Sequence, residues 1–175
     1  MITFRQGNLL HADVEALVNT VNCVGVMGKG IALQFKQAYP DNFRAYARAC
    51  KEGNVRLGKM FVYPTGRSTN PRFLINFPTK QHWKSRSRLE DIQAGLRDLV
   101  EVVQHHAIQS IAVPPLGCGN GGLNWHEVFP LIEAAFASLP DPLVFVYAPA
   151  PPLRKGWQRL RSQEWFEHPA TQRRT

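Results

Sequence analysis

The sequence predicts an α/β fold in which helices pack on a mixed sheet of strands, and three observations support this class. Short apolar runs typical of buried strands alternate with longer segments whose apolar residues recur at helical spacing. Turn-forming residues at 64–71 separate two strands in mid-chain and indicate an antiparallel hairpin. Two glycine-rich loops each follow a strand and precede a helix, as ligand-binding loops do in open α/β sheets.

Length and composition agree with a single globular domain. The chain has 175 residues, 44% of them hydrophobic and 19% charged, so it can bury a full core. No apolar run is long enough to cross a bilayer, and the N-terminus has no signal-peptide pattern. The three cysteines have no metal-like spacing and favour a reducing compartment. We expect a cytoplasmic monomer without a cofactor, a bound metal or a membrane partner.

The chain begins with two predicted strands, at 2–5 and 16–19. Apolar residues at helical spacing then predict a helix over 30–39, which Pro40 ends.

A second helix and the hairpin come next. Asp41 is the expected N-cap of that helix, and Gly53 is its expected end. The hairpin strands are predicted at 59–63 and 73–77.

The second half of the chain continues the alternation. The longest helix is predicted over 87–106, followed by a strand at 111–113 that is too uniformly apolar to be half exposed. A further helix is expected over 124–139, and the last strand at 143–147.

Prolines at 149, 151 and 152 indicate where the packed domain ends. We therefore assign residues 1–150 to the domain. Residues 151–175 are predicted to form a C-terminal helical extension and a basic tail or linker.

The two glycine-rich loops carry the main functional signal. The first glycine loop (residues 23–30) follows Asn22, and the second glycine loop comprises residues 114–122. Glycine backbone can approach a ligand closely, and the free N–H groups of a following helix attract anions. One such loop alone is better explained as a turn without a ligand. Two loops facing each other at one sheet edge predict a clamp for a pyrophosphate.

A basic and aromatic segment follows the fourth strand. The net charge of +8 favours a polyanionic partner, and cations interleaved with aromatic residues suit single-stranded nucleic acid. The residues predicted to bind nucleic acid are His82, Trp83, Lys84 and Arg86. The alternative, that Trp83 packs under the long helix while the cations are solvated, remains open at this stage.

Four motifs, in chain order, resemble those of the macrodomain family. They are Gly7-Asn8-Leu9-Leu10, Val18-Asn19-Thr20-Val21-Asn22, Gly28-Lys29-Gly30-Ile31-Ala32 and Pro114-Pro115-Leu116-Gly117-Cys118-Gly119. The resemblance implies a three-layer α/β/α sandwich on a mixed, mostly parallel six-stranded sheet that binds ADP-ribose. Residues 27–32 and 77–80 are most similar to the branch that contains the DarG antitoxins and the terminal ADP-ribose glycohydrolase.

That branch implies an activity and its partners. The implied enzyme removes ADP-ribose from ADP-ribosylated thymidine in single-stranded DNA, as antitoxin to a DarT-type DNA ADP-ribosyltransferase. Its partners would be ADP-ribose or ADP-ribosylated single-stranded DNA, and a DarT-type toxin engaged through a C-terminal domain absent from this chain. Two alternatives stay open: a reader that binds ADP-ribose without turnover, and a hydrolase of ADP-ribosylated protein carboxylates.

The resemblance assigns catalytic roles to two residues. Lys80 could attack the anomeric carbon as a neutral amine, or stabilise charge on the leaving base as an ammonium ion. Asn22 is similar to the residue that orients the distal ribose, although an asparagine there can also be a turn residue. Tyr147 is expected to flank the adenine or, equally well, to plug the core. The full set of ligand-binding positions is Asn8, Leu9, Asn19, Gly28, Lys29, Gly30, Ile31, Thr79, Pro115, Leu116, Gly117, Cys118, Gly119, Asn120, Gly121 and Tyr147.

Two positions depart from the family pattern. Asn8 stands where many macrodomains have an aspartate that accepts a hydrogen bond from the adenine, and its amide oxygen can still accept one. The second glycine loop and the residues that follow it, 120–124, contain no acid, unlike the human terminal glycohydrolase.

Overall fold

A computed structural model of the chain describes residues 2–139 and 142–149. The strands are β1 (Ile2–Arg5), β2 (Ala16–Asn22), β3 (Phe61–Pro64), β4 (Phe73–Lys80), β5 (Ser110–Val113) and β6 (Leu143–Tyr147). The helices are α1 (Gly30–Ala38), α2 (Pro40–Lys51), α3 (Leu89–His105) and α4 (Trp125–Phe136). A 3-10 turn, Leu9–His11, follows β1.

The six strands form one sheet in the order β1-β6-β5-β2-β4-β3. Neighbouring strands are parallel except β3, which pairs with β4 in the predicted antiparallel hairpin. The predicted mixed, mostly parallel sheet is therefore confirmed. Since parallel strands end at the same edge of a sheet, the segments after β2, β4 and β5 emerge together.

Helices cover both faces of the sheet, as expected for an α/β/α sandwich. Alternate strand residues point to opposite faces, so Val18 packs with α3 and α4 whereas Leu17 packs toward Phe35 of α1. Near the end of β2, Val21 joins a third apolar cluster with Tyr46 of α2. The three layers position α1 and α2 under the first glycine loop, and α3 and α4 under the second.

Several predicted element ends differ from the structure, and the reason is clear for three of them. The second strand does not stop at Asn19, because its pairing with β4 continues to Asn22 with a register shift after Val21. The fourth strand likewise runs to Lys80 rather than 77. Asp41 is not an N-cap: Tyr39 caps α2 and Pro40 starts it, since proline in the first helical turn sacrifices no hydrogen bond.

One glycine explains how closely α3 packs on β4. Gly95 is buried in α3, and a Cβ at this position would overlap the ring carbons of Phe77. Phe77 is itself fully buried, so its ring has no free space to move into. The missing side chain at Gly95 therefore lets α3 approach the strand that ends in Lys80.

No helix in 2–139 or 142–149 is long and apolar enough to span a membrane. The extension predicted for 151–175 lies outside the described residues, and the domain boundary at 150 remains a prediction.

Candidate active site

A cavity of about 440 Å³ lies at the edge of the sheet where β2 and β4 end. Both glycine loops line it, as do the first residues of α1 and the segment after β4. Its lining residues are Thr20, Val21, Asn22, Val26, Gly28, Lys29, Gly30, Ile31, Ala32, Thr79, Lys80, Trp83, Lys84, Pro114, Pro115, Gly117, Gly119, Asn120 and Gly121. The prediction that the two loops face each other is confirmed.

The first glycine loop leads directly into α1, whose first residues line the cavity. Gly30, the first residue of the helix, has a φ of 56°, which favours glycine. The side chain of Lys29 makes no capping hydrogen bond to the helix. Because Gly30, Ile31 and Ala32 line the cavity, the first turn of α1 and the positive end of its helix dipole lie at the cavity, which suits an anionic ligand.

The second glycine loop is folded tightly on itself. The N–H of Leu123 donates to Gly117 O (3.0 Å), and the N–H of Gly122 donates to Gly119 O (3.1 Å). Beneath the loop, the N–H of Ser87 donates to Gly121 O at 3.0 Å. At the exposed tip, a Cβ on Gly119 would meet nothing within 4 Å. The loop is therefore a rigid wall whose tip has open space in front of it.

Lys80 is the last residue of β4, and it lines the cavity. Its ammonium donates to Trp83 O (3.1 Å) and to Asn120 O (3.0 Å). Partial burial lowers the pKa of Lys80 from its ordinary value, because desolvation disfavours the charged form. The described lining residues include three lysines and no carboxylate, so Lys80 has no acidic partner in the cavity.

Asn22 organises the start of the first glycine loop. Its Oδ1 accepts hydrogen bonds from the N–H groups of Val24 (3.0 Å) and Val26 (3.3 Å), and its Nδ2 donates to Val26 O (2.7 Å). Tyr46, in α2, donates its hydroxyl to Asn22 O at 2.7 Å, with Asn22 Oδ1 3.0 Å away. Asn22 therefore has the turn role left open by the sequence, and it also lines the cavity.

The basic and aromatic segment is divided between the cavity and its surroundings. The side chain of Trp83 is 49% exposed, so the alternative in which it packs under the long helix was wrong. Trp83 and Lys84 line the cavity, and the Lys84 ammonium lies 4.9 Å from the centroid of the Trp83 ring. His82 lies beside the same ring, whereas Arg86 lies behind the second loop, near Gly122.

Several predicted ligand-binding residues lie outside the cavity. Asn19 is fully buried in the core, where its Nδ2 donates to Asn76 Oδ1 (3.0 Å), so its predicted ligand contact was wrong. Leu116 is also fully buried, in the core cluster under α3 and α4. Its predicted ligand contact was therefore wrong as well. Cys118 is half-buried and does not line the cavity.

Three predicted ligand-binding residues form a separate group near β1. Asn8 is exposed, and its Oδ1 accepts a hydrogen bond from the N–H of Leu10 at 3.0 Å. Leu9 is buried in an apolar cluster against which Tyr147 packs. These three residues lie outside the lining of the cavity. The contacts of Asn8 and Tyr147 with adenine, and that of Leu9 with the ligand, remain predictions.

The cysteines of the two loops are packing residues. Burial raises the pKa of the Cys23 thiol to about 11 and that of the Cys118 thiol to about 11. Both therefore stay protonated near neutral pH and are poor nucleophiles. No group of three His, Cys, Asp or Glu side chains in the described part of the chain is arranged to hold a metal ion.

Sequence reasoning missed several site residues. Thr20, Val21, Val26, Ala32 and Pro114 line the cavity beside the predicted positions. The β-branched residues Thr20 and Val21, which favour strands, could have indicated that β2 is longer. No sequence signal identified Tyr46 as the partner of Asn22, because the two residues are 24 positions apart.

Comparison with known proteins agrees with this geometry. The model of the Macro domain family matches residues 18–132. A relative from Mycobacterium tuberculosis, named DNA ADP-ribosyl glycohydrolase, is 58% identical over 150 residues. That match covers 86% of this chain but only 43% of the relative, so the chain spans less than half of that protein's length.

Two solved structures are similar over most of the chain. The macrodomain of Mycobacterium tuberculosis DarG matches with a TM-score of 0.85 and 58% identity, covering 86% of this chain and 99% of that one. Thermosipho africanus DarTG in complex with ADP-ribose matches with a TM-score of 0.79 and 34% identity, covering 86% of this chain and 43% of that one.

Proposed function

The chain belongs to the Macro domain family, and from this membership we propose that it is a DNA ADP-ribosyl glycohydrolase. Its substrate would be ADP-ribosylated thymidine in single-stranded DNA, and its product free ADP-ribose. The 58% identical relative that carries this name supports the proposal. The structural observation that carries it is a lysine without an acidic partner in a cavity formed by two glycine loops.

ADP-ribose would bind through its pyrophosphate. The N–H groups at the start of α1 supply donors on one side of the cavity, and the second glycine loop supplies the opposite wall. Lys29, Lys80 and Lys84 add positive charge to a lining whose described residues include no carboxylate. A dianionic pyrophosphate fits this electrostatic field, and the ADP-ribose held by the related DarTG structure supports the choice.

The reaction breaks the bond between the anomeric carbon of the distal ribose and a nitrogen of the base. A water molecule adds to that carbon, and the bonding electron pair leaves with the base. The base nitrogen then takes up the proton that the water loses. The Lys80 ammonium would stabilise the negative charge that develops on the base. One N–H of the Asn22 side-chain amide donates to Val26 O, and its second N–H would orient the ribose. We favour the charged role of Lys80 because it already donates to two carbonyl oxygens, those of Trp83 and Asn120, and hydrogen bonds made by the charged form stabilise that form.

Single-stranded DNA would approach beside Lys80. Trp83 offers an exposed ring at the cavity mouth, and the adjacent Lys84 offers a positive charge for a phosphate. A base in a duplex would be unable to reach Trp83 without first leaving the stack.

The biological setting follows from the same likeness. We propose that the protein acts in the cytoplasm, as antitoxin to a DarT-type DNA ADP-ribosyltransferase. This part of the proposal rests on the similarity to DarG macrodomains.

The test is direct release of ADP-ribose. The protein is incubated with single-stranded DNA bearing ADP-ribosyl thymidine, and separately with a glutamate-ADP-ribosylated protein. Release from DNA alone supports the proposal, and release from the protein substrate alone would assign the chain to the carboxylate hydrolases. Tight binding of ADP-ribose with no release from either substrate would instead identify a reader.

A further inference from the structure

We infer that Tyr46 is a positioning residue for this active site: from inside α2, its hydroxyl holds Asn22 and thereby the shape of the first glycine loop. The effect on turnover rests on the proposed function. The effect on the loop does not, and it can be measured separately.

The contact between the two residues is buried and short. Tyr46 is fully buried, and its Oη lies 2.7 Å from Asn22 O and 3.0 Å from Asn22 Oδ1. One hydroxyl hydrogen is shared between these two oxygens. Since unpaired buried acceptors are costly, removing this donor destabilises Asn22 by taking a partner from its backbone oxygen, at a place that water reaches poorly.

Asn22 transmits this contact to the loop. The same Oδ1 accepts hydrogen bonds from Val24 N and Val26 N, and the Nδ2 donates to Val26 O. The side chain of Asn22 therefore holds residues 22–26 in a turn, and Tyr46 in turn holds Asn22. The loop continues directly into Gly28 and the N-terminus of α1, both of which line the cavity.

The loop also lies against the residues that follow Tyr46 in α2. Gly25 has a φ of 79°, and a Cβ added to it would lie 3.5 Å from Ala47 Cα and 3.6 Å from Cys50 Cβ. The first glycine loop thus packs on this face of α2. The Tyr46 hydroxyl provides the polar contact between α2 and Asn22. Burial raises the pKa of Tyr46, so the hydroxyl keeps its proton and remains a donor across the ordinary pH range.

The test compares Tyr46→Phe, which removes only the hydroxyl, with Ile132→Val as a control. Ile132 is fully buried in α4, in the core cluster on the opposite face of the sheet. The control therefore loses core stability without touching the loop. All measurements are made well below the melting temperature of both variants.

Two readouts separate positioning from stability. In Tyr46→Phe, hydrogen exchange at the amides of Val24 and Val26 should accelerate about tenfold relative to Ile132→Val, and kcat/KM for ADP-ribosyl DNA should fall about tenfold, equivalent to ~1.4 kcal/mol. Unchanged exchange at both amides would overturn the inference. Equal catalytic losses in the two variants would also overturn it, because they would indicate a general loss of stability.

The outcomes distinguish this inference from the proposed function. If the wild-type protein releases no ADP-ribose but Tyr46→Phe still accelerates exchange in the loop, the proposed function fails and the positioning role stands. If the wild-type protein is active and Tyr46→Phe retains both its activity and its protected amides, only the positioning role fails.

Discussion

The ammonium of Lys80 lies 3.0 Å from the carbonyl oxygen of Asn120, so the end of β4 is tied directly to the second glycine loop. Its second bond, to Trp83 O, extends the same contact to the segment that carries the exposed indole. Lys80 thus supplies charge to the cavity and connects two of its walls. Its removal should affect the reacting bond much more than the pyrophosphate site, because the backbone N–H groups, Lys29 and Lys84 remain there.

Free ADP-ribose should bind and stabilise the fold. Because the ligand would contact the folded cavity and not the unfolded chain, a concentration a hundred times the dissociation constant should add about 2.7 kcal/mol to the free energy of unfolding. The melting temperature with and without ADP-ribose measures this effect. The absence of any shift at millimolar ligand would contradict the binding site.

Gly119→Glu should abolish ADP-ribose binding while leaving the fold intact. A Cβ at this position meets nothing within 4 Å, so the side chain is accommodated, but its carboxylate would stand in front of the loop and repel the pyrophosphate. Gly119→Ala is the matched control and should retain binding. Calorimetric titration and thermal melting of both variants provide the check, and near-normal affinity in Gly119→Glu would mean that the ligand lies elsewhere.

Gly28→Glu tests the opposite wall in the same way. A Cβ there would lie 3.7 Å from Val26 Cγ1, an ordinary contact, so the fold should again survive. The added charge would face the N-terminus of α1 and compete with the pyrophosphate for its N–H groups. Affinity for ADP-ribose should therefore be lost, and Gly28→Ala should show a smaller effect.

Lys80→Ala should bind ADP-ribose within a few-fold of the wild type but release it from DNA slower by orders of magnitude. This pattern identifies an interaction made mainly in the transition state. Lys80→Arg, which keeps the positive charge, should retain part of the rate. Borohydride added during turnover should trap no covalent adduct. A lysine-linked ADP-ribose would instead establish a Schiff base, and full activity of Lys80→Ala would exclude a catalytic role.

The rate should fall as the pH rises through the pKa of Lys80, because the proposed active form is the ammonium. Burial lowers this pKa, so the decline should begin below the pH expected for a lysine with the ordinary value of 10.5. Residual activity of Lys80→Arg should lack this decline, since a guanidinium stays charged. A rate that increases with pH over the same range would indicate a neutral amine acting as nucleophile.

The sequence by itself determined the order of strands and helices, the two glycine loops and the place of Lys80 close after a strand. These features depend on local properties: the alternation of apolar residues, the conformational freedom of glycine and the rigidity of proline. Such properties are readable within a few neighbouring residues, which is why the α/β class and the hairpin were predicted correctly. That the two loops face each other was predicted because both follow strands, and parallel strands end at the same edge of a sheet.

Only the tertiary structure decided which of the motif residues reach the cavity. Asn19 and Asn22 belong to one motif, yet Asn19 is buried beside Asn76 while Asn22 lines the site and binds Tyr46. Asn19 lies in the middle of β2, opposite Asn76 of β4, whereas Asn22 ends the strand after a shift in register, where α2 brings Tyr46 to it. Register and helix packing are set by contacts between residues far apart in the chain, so no pattern in neighbouring residues reveals them.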